Sequence, residues 1–386
     1  MHLTCICTGL YPEEHAAAIR HTLLARGLAL SGHTVELLIL QPQNWGDQKK
    51  ITVDDVQFTE VNSYSGKNKI LKHSSFVRSV FKTKKILAKK KTAAAIHAVI
   101  FFTTDVFAIK ILLPYAQKLG IKTYSERTEF PYILPDSRLK HTIALNIYLK
   151  QLHLFDGIFV INNKLEAYIK RYNKKTKKLL TVVDLSFFRP PEKPSPYPFD
   201  YICYCGTMKG TKDGVPILIE AFAKISKKFP GLKLVLIGNN RDKEQIKETL
   251  NAVSRFNIDD KVVFTGHIER ASMPVLLGNA RVLAVSKPDN EQNSGNFPIK
   301  IGEYLATGVP TVVTNVGEIP MFIKDGESGF LAKPGSADSF AEKLEQALSD
   351  KKAAQKIGLA GKAVAAQHFD FKKQAQEMAD YITQNQ

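Results

Sequence analysis

Apolar residues along this chain fall into short unbroken runs, separated by longer segments in which they recur every three or four positions. The runs read as buried strands and the segments between them as amphipathic helices. "LTCICTGLYP" is a strand ending at Gly9. A helical segment follows, carrying Ala16 to Ala18, Leu23, Leu24, Leu28 and Leu30, and "GHTVELLIL" is the next strand. The second half repeats this plan with "DYICYCGTMKG", the helical run "VPILIEAFAKISKKF", a break at Pro230-Gly231 and the strand "LKLVLIG". Strand, glycine turn, helix, strand is a βαβ unit, and wholly apolar strands suit a parallel sheet covered on both faces.

The alternation continues with "AVIFF", "IKTYSE" and "GIFVI" in the first half, and with "KVVFTG", "ARVLAVS", "PTVVT" and "GFLA" in the second. Between the halves, "RPPEKPSPYPFD" places four prolines in residues 190 to 196 and another at 198, a semi-rigid connector. The expected organisation is a first domain over 1–186, a linker over 187–199 and a second domain over 200–365. An amphipathic helix within 366–386 would pack back on the first domain. The fold class is α/β: two doubly wound Rossmann-like domains facing each other across a cleft.

A chain of 386 residues, 44% hydrophobic and 24% charged, is ordinary for a globular protein of two or three domains. The N-terminal "MHLTCICTGLYPEEH" lacks the basic start of a secretory signal. The apolar region near 93–116 is interrupted by His97, Asp105 and Lys110, which argues against a membrane span. A cytoplasmic protein is expected. The cysteines form two Cys-x-Cys pairs, Cys5/Cys7 and Cys203/Cys205, read as small buried hydrophobes of a reducing compartment; no metal site is expected.

Charge adds an asymmetry. Residues 1–190 hold 29 Lys+Arg against 14 Asp+Glu, and the remainder 25 against 23. No acid occurs between Glu60 and Asp105, while lysines accumulate from Lys67 to Lys91, interleaved with Ile70, Leu71, Phe76, Val80, Phe81 and Leu87. As a helix, this segment has an apolar stripe with cations beside it, the pattern of an interfacial helix on an anionic membrane surface. The alternative is a core-facing helix with a solvated charged face. A nucleic-acid partner is not expected, because no recognition module is visible and aromatic residues are not arranged as stacking platforms.

In open α/β domains, ligands lie beyond the carboxyl ends of the strands. In the second half those ends carry Gly206 and Thr207, Gly238, Gly266 to Ile268, and the loop "KPDNEQNSGNFP". Pro298 suits a first helical turn and Gly308 its end. The amides of Ser294 to Phe297 would then offer an anion seat. Glu303, about a turn and a half into the helix, would accept hydrogen bonds from a vicinal diol such as a ribose, and Lys212 would supply a point charge for phosphate. The same spacing also fits a solvated Lys300–Glu303 helical pair. In the first half, Glu126, Arg127 and Glu129 stand at a strand end, and Arg20 either reaches toward them or pairs with Glu13 or Glu14.

The segment "FPIKIGEYLATGVPTVVTNVGE" resembles the donor site of bacterial retaining glycosyltransferases of family 4, which have the two-domain GT-B fold. "YCGTMKGTKDGVPILIEAF" is similar to their phosphate loop and "AAAIRHTLLARGLALSGHTVELL" to their N-terminal opening. "GIFVINNKLEAYI" and "VVFTGHIERASMPVLLGNARVLAVS" fit in order. The resemblance implies metal-independent transfer of a sugar from a nucleotide diphospho-sugar, UDP- or GDP-linked, with no further cofactor. The acceptor would be a glycan or a polyprenyl-diphosphate-linked sugar of capsule, lipopolysaccharide or exopolysaccharide, at the inner face of the cytoplasmic membrane. It assigns the donor to Gly206, Thr207, Lys209, Lys212, Gly238, His267, Ile268, Asn293, Ser294, Gly295, Asn296, Phe297, Lys300 and Glu303. Lys212, Glu126 and Arg127 would be catalytic, and Arg20, Glu126 and Glu129 would meet the acceptor.

The chain departs from that pattern in three places. Gly295 stands where many relatives have a second glutamate, Glu291 being the nearest acid. Thr207 stands where many have an arginine, and "KTYSERTEFP" offers Glu126 and Arg127 where many have a histidine. These departures leave open a catalytically silent homologue that binds a nucleotide sugar, and a nucleotide-sugar epimerase of the same fold.

Overall fold

The computed structural model describes residues 1–385 apart from 13–14, 44, 46–47, 63, 65–67, 131–137, 209 and 239–245, with no side chain described at 69, 138–144 or 210–211. The chain divides into two compact units, Met1–Val182 with Phe371–Gln386, and Val183–Asp370.

The first unit is built on β1 (His2–Cys7), β2 (Thr34–Ile39), β3 (Lys50–Val53), β4 (Val56–Glu60), β5 (Ala98–Phe102), β6 (Lys122–Arg127), β7 (Gly157–Val160) and β8 (Thr176–Lys178). They lie in the order β3-β4-β2-β1-β5-β6-β7-β8. All pairs are parallel except β3 with β4, a hairpin that the alternation of apolar runs did not predict. Its turn is made by Asp54 and Asp55 at φ 47° and 63°, a conformation that aspartate tolerates better than most residues. The central strand β5, AVIFF, is apolar throughout and buried along its whole length, as suits a parallel sheet covered on both faces. The helix Phe371–Gln384 buries Phe371, Ala375, Met378, Ala379 and Ile382 as one stripe. It lies against the helix Ala16–Leu30 at Gly27, where an added Cβ would stand 2.4 Å from the Ala375 Cβ. That close approach explains the glycine inside a helix.

The basic segment is a single helix, Lys69–Thr92, capped by the Asn68 side chain. Val80 and Leu87 are buried under it, whereas Ile70, Leu71 and Phe81 are 79%, 48% and 49% exposed. Among the described residues, no helix is long and apolar enough to cross a membrane.

The second unit holds β9 (Tyr201–Cys205), β10 (Lys233–Ile237), β11 (Val262–Gly266), β12 (Val282–Val285), β13 (Thr311–Thr314) and β14 (Phe330–Ala332). Their order is β11-β10-β9-β12-β13-β14, parallel throughout. The helix Val215–Ile225 buries Val215, Leu218, Ile219, Phe222 and Ile225, the stripe that its three-and-four spacing predicts. The proline-rich segment lies on this unit: Pro191 fills the space beside Gly278, and the Lys193 carbonyl accepts from Asn279 Nδ2. Strand order reverses between β9 and β12. Outside their carboxyl ends is where a doubly wound sheet opens a crevice for a ligand.

Candidate functional site

At that reversal, three loops close on one another through backbone. The Gly206 amide donates to the Ile237 carbonyl at 2.8 Å, and the Gly238 amide to the Gly266 carbonyl at 3.1 Å. A Cβ at Gly238 would stand 2.0 Å from the Gly206 carbonyl oxygen, so only glycine allows these loops to meet.

A charged cluster sits beside them. The short helix Gly210–Asp213 delivers Asp213, a buried acid that accepts from Tyr204 Oη at 2.7 Å, Lys300 Nζ at 2.9 Å and Lys287 Nζ at 3.3 Å. Burial opposes its charge, but Lys300 and Lys287 outweigh it and hold the carboxyl below the ordinary aspartate range. Lys287, just past β12, is 2% exposed and also donates to Asn293 Oδ1 at 2.7 Å and the Lys212 carbonyl at 3.2 Å. Burial lowers its pKa to about 8 against the pull of Asp213, with Lys300 and Lys212 adding to the fall. Lys300 leans over the Tyr204 ring, 4.7 Å from its centroid. Its Nζ lies 2.2 Å from where a Gly206 side chain would begin.

Glu303 lies on the helix Ile299–Thr307, which ends in Gly308 at φ 78°. Its Oε1 accepts from Arg270 Nη1 at 2.9 Å, and the Arg270 guanidinium is 4.8 Å from the Phe187 ring. Both side chains are only partly exposed, 14% and 15%. Burial pushes the Cys205 thiol up to about 11, and the Cys205 amide donates to Tyr304 Oη at 2.6 Å, tying the end of β9 to the helix that carries Lys300 and Glu303.

Three expectations need correction. The amides of Ser294 and Gly295 are not open to an anion: a helical turn begun at Asn290 makes them donate to the Asn290 carbonyl (2.9 Å) and the Glu291 carbonyl (3.2 Å). Asn293 is a strut rather than a ligand. Its Oδ1 accepts from Lys287, and its Nδ2 donates to the Lys212 and Pro288 carbonyls at 3.1 and 2.8 Å. Phe297 turns its ring into the apolar interior against Phe322 and Phe369. Thr207 and His267 are exposed, and Lys212, Ile268, Asn296 and Lys300 are half-buried. Lys209 lies outside the described residues.

In the first unit, Arg20 and Glu126 meet in the interior. Arg20 Nε donates to Glu126 Oε1 at 2.7 Å, and its remaining nitrogens reach the Leu180 and Leu179 carbonyls at 2.6 and 3.2 Å. His21 Nε2 stands 2.9 Å from Glu126 Oε2, and its Nδ1 is 2.7 Å from Tyr11 Oη. With the carboxylate as acceptor, His21 donates from Nε2, and its Nδ1 faces the tyrosine hydroxyl. Glu126 is depressed to about 2: burial raises it, and Arg20 followed by His21 overrides burial. Arg127 is 2% exposed, donates to the Thr103 and Glu126 carbonyls at 3.1 and 2.7 Å, and faces the Tyr148 ring. Both catalytic candidates of this unit are therefore sealed in its interior. Glu129 is exposed.

Asp213, Lys287, Arg270 and His21 acquire their roles only through partners distant in the sequence. An acid directly after Lys212, inside a lysine-rich loop, was the one local signal available.

The strand orders define the class: two Rossmann-like bodies in one chain, the GT-B architecture of glycosyltransferases. The structure of Anabaena Alr3699/HepE, solved with UDP and glucose, superposes with a TM-score of 0.73 over 99% of each chain at 16% identity. Residues 190–364, a little under half of the chain, match the family described as "Glycosyl transferases group 1". N-acetyl-alpha-D-glucosaminyl L-malate synthase of Bacillus anthracis is 28% identical over 141 residues, covering 36% of this chain and 34% of its own. The capsular polysaccharide biosynthesis glycosyltransferase CapM of Staphylococcus aureus is 30% identical over 161 residues, 42% of this chain and 40% of its own. The match thus spans less than half the length of these curated relatives.

Proposed function

We propose that the protein is a retaining glycosyltransferase that moves a sugar from a nucleotide diphospho-sugar to a glycan or lipid-linked acceptor in cell-surface polysaccharide synthesis. One observation carries this reading: Lys300 Nζ lies at Gly206, by the carboxyl end of β9 where strand order reverses, and Tyr304 ties the helix that carries Lys300 and Glu303 to the Cys205 amide at the same strand end. Lys287 and Lys300 share the single carboxylate of Asp213, an excess of positive charge that suits a diphosphate. Glu303 would hold ribose hydroxyls. UDP or GDP is the nucleotide, in keeping with the UDP in the Alr3699/HepE structure.

In the reaction, the bond from the anomeric carbon to the diphosphate oxygen breaks and its electron pair stays on phosphate. The acceptor oxygen bonds to that carbon from the same face, and its proton passes to the departing phosphate. Cations fixed beforehand around the phosphates stabilise the developing charge, so this reading needs no metal. The helix Lys69–Thr92, with Ile70, Leu71 and Phe81 exposed among lysines, would hold the enzyme on an anionic leaflet beside a lipid-linked acceptor.

A thermal-shift screen of UDP-, GDP-, ADP- and CMP-sugars tests the donor. A nucleotide at a hundred times its dissociation constant adds about 2.7 kcal/mol. Incubation with the stabilising donor and an acceptor extract, followed by NMR of the anomeric proton, tests transfer and retention. Binding without any turnover would favour the silent homologue, suggested by the sealed state of Glu126 and Arg127. Sugar isomerisation without an acceptor would favour an epimerase.

A further inference from the structure

We infer that Lys287 is a positioning residue of the donor site: its buried ammonium latches the loop after β12 onto the helix Gly210–Asp213, and nucleotide binding is coupled to the charge it carries. This rests on the nucleotide-sugar reading above and adds a regulation of that site. An ammonium group has three protons to give. Lys287 places all three inside the protein, on Asn293 Oδ1 at 2.7 Å, the Lys212 carbonyl at 3.2 Å and Asp213 Oδ1 at 3.3 Å. Its side chain is 2% exposed, so it keeps no proton for a ligand and acts through its neighbours.

Three loops close on this one group. Asn293, from the helix Glu291–Ser294, accepts from Lys287 and donates from Nδ2 to the Lys212 and Pro288 carbonyls. Ser286 Oγ donates to the Gly214 carbonyl at 2.7 Å, and Thr314 Oγ1, at the end of β13, to the Lys287 carbonyl at 2.7 Å. A Cβ at Gly214 would stand 2.1 Å from the Ser286 carbonyl oxygen, so the approach of these loops is as close as backbone allows. Asp213 gives Oδ1 to Lys287 and Oδ2 to Lys300 and Tyr204. The charged groups facing Lys287 are Asp213 and Lys212 from one helix and Lys300 from another. Burial, Lys300 and Lys212 disfavour its charge and Asp213 favours it, and the balance lies at about 8. A diphosphate at this strand end adds negative charge and tips the balance toward the ammonium. By reciprocity, a rise of one pKa unit on binding means ~10-fold tighter binding to the charged form.

The test is calorimetric titration of UDP and GDP into wild type, Lys287→Arg and Lys287→Met between pH 7 and 9. At pH 8, in Hepes and in Tris, whose heats of ionisation differ, wild type is expected to take up ~0.4 proton per nucleotide. Its affinity should fall ~3–10-fold across the range, with an inflection near pH 8. Lys287→Arg stays charged throughout and should keep most of the affinity with neither inflection nor proton uptake. Lys287→Met should bind ~10-fold more weakly at pH 7 and lose the inflection too. Titration of the nucleobase is common to all three proteins and cancels in the comparison. Thermal melting selects the variants that are folded, and the proton uptake of wild type needs neither. Wild-type binding without proton uptake, an inflection that survives in a folded variant, or a folded Lys287→Met as tight as wild type overturns the inference while the nucleotide reading stands. If wild type binds no nucleotide, both fall together.

Discussion

Arg20 and Glu126, 106 positions apart in the chain, form an ion pair at 2.7 Å in the interior of the first unit, with side chains 5% and 2% exposed. Both partners are held further: Arg20 ends on two backbone carbonyls, and the second oxygen of Glu126 is held by His21. It fastens the helix Ala16–Leu30 to the end of β6 and to the chain after β8. Replacing Glu126 with glutamine would leave a buried guanidinium without its counter-charge. The expected loss is about 3–5 kcal/mol of unfolding free energy, read from urea denaturation. A change within 1 kcal/mol would show that the pair is open to water.

The same pair predicts a pH dependence. Glu126 lies at about 2 in the folded protein against an ordinary 4.5, so its contribution is fully present above the ordinary value and disappears as pH falls toward 2. Guanidinium midpoints between pH 6 and 2.5 should fall more steeply for wild type than for Glu126→Gln, and the two curves should converge at the acid end. Parallel curves would assign the acid sensitivity to other carboxylates.

Glu303 already accepts from Arg270, so a ribose would share the carboxylate with the guanidinium. Glu303→Ala is expected to weaken nucleoside diphosphate binding ~10–100-fold, the worth of one or two hydrogen bonds to a charged group. The 2′-deoxynucleotide gives the sharper reading: wild type should prefer the ribonucleotide, and Glu303→Ala should bind both alike. An undiminished preference in the variant would remove Glu303 from the ribose.

Gly238→Ala places a methyl carbon 2.0 Å from the Gly206 carbonyl oxygen, a backbone contact that no rotamer relieves. The loops after β9 and β10 must separate, at a cost of about 1–3 kcal/mol. Nucleotide affinity should fall together with the melting temperature. Unchanged affinity with unchanged stability would mean that these loops are free to part.

The two-body fold was legible because strands at the centres of both sheets are mainly apolar runs ending in glycine or a small polar residue, as "YICYCG" and "AVIFFT" show. The β3–β4 hairpin was not, since Lys49, Lys50, Asp54 and Asp55 dilute its alternation until it reads as a loop. Strand β8 was hidden in the run Lys170–Lys178, because an edge strand can carry lysines that a central one cannot. At the site, Glu303 and Lys300 stood out by their helix. Lys287 did not: a lysine after a strand reads as surface, and only Asp213, 74 positions earlier, makes its burial tolerable. Arg270 likewise gains meaning only beside Glu303, 33 positions away. The amides of Ser294 and Gly295 misled because a four-residue helix, Glu291–Ser294, is too short to leave a periodic trace.

The helix Phe371–Gln384 completes the apolar layer that covers β1, β2 and the helix Ala16–Leu30, although the whole of the second unit separates it from them in sequence. During synthesis the second sheet can therefore finish folding while the first still waits, its oily flank uncovered, for the helix Phe371–Gln384 to leave the ribosome. Of the two units, the one begun first is the one completed last.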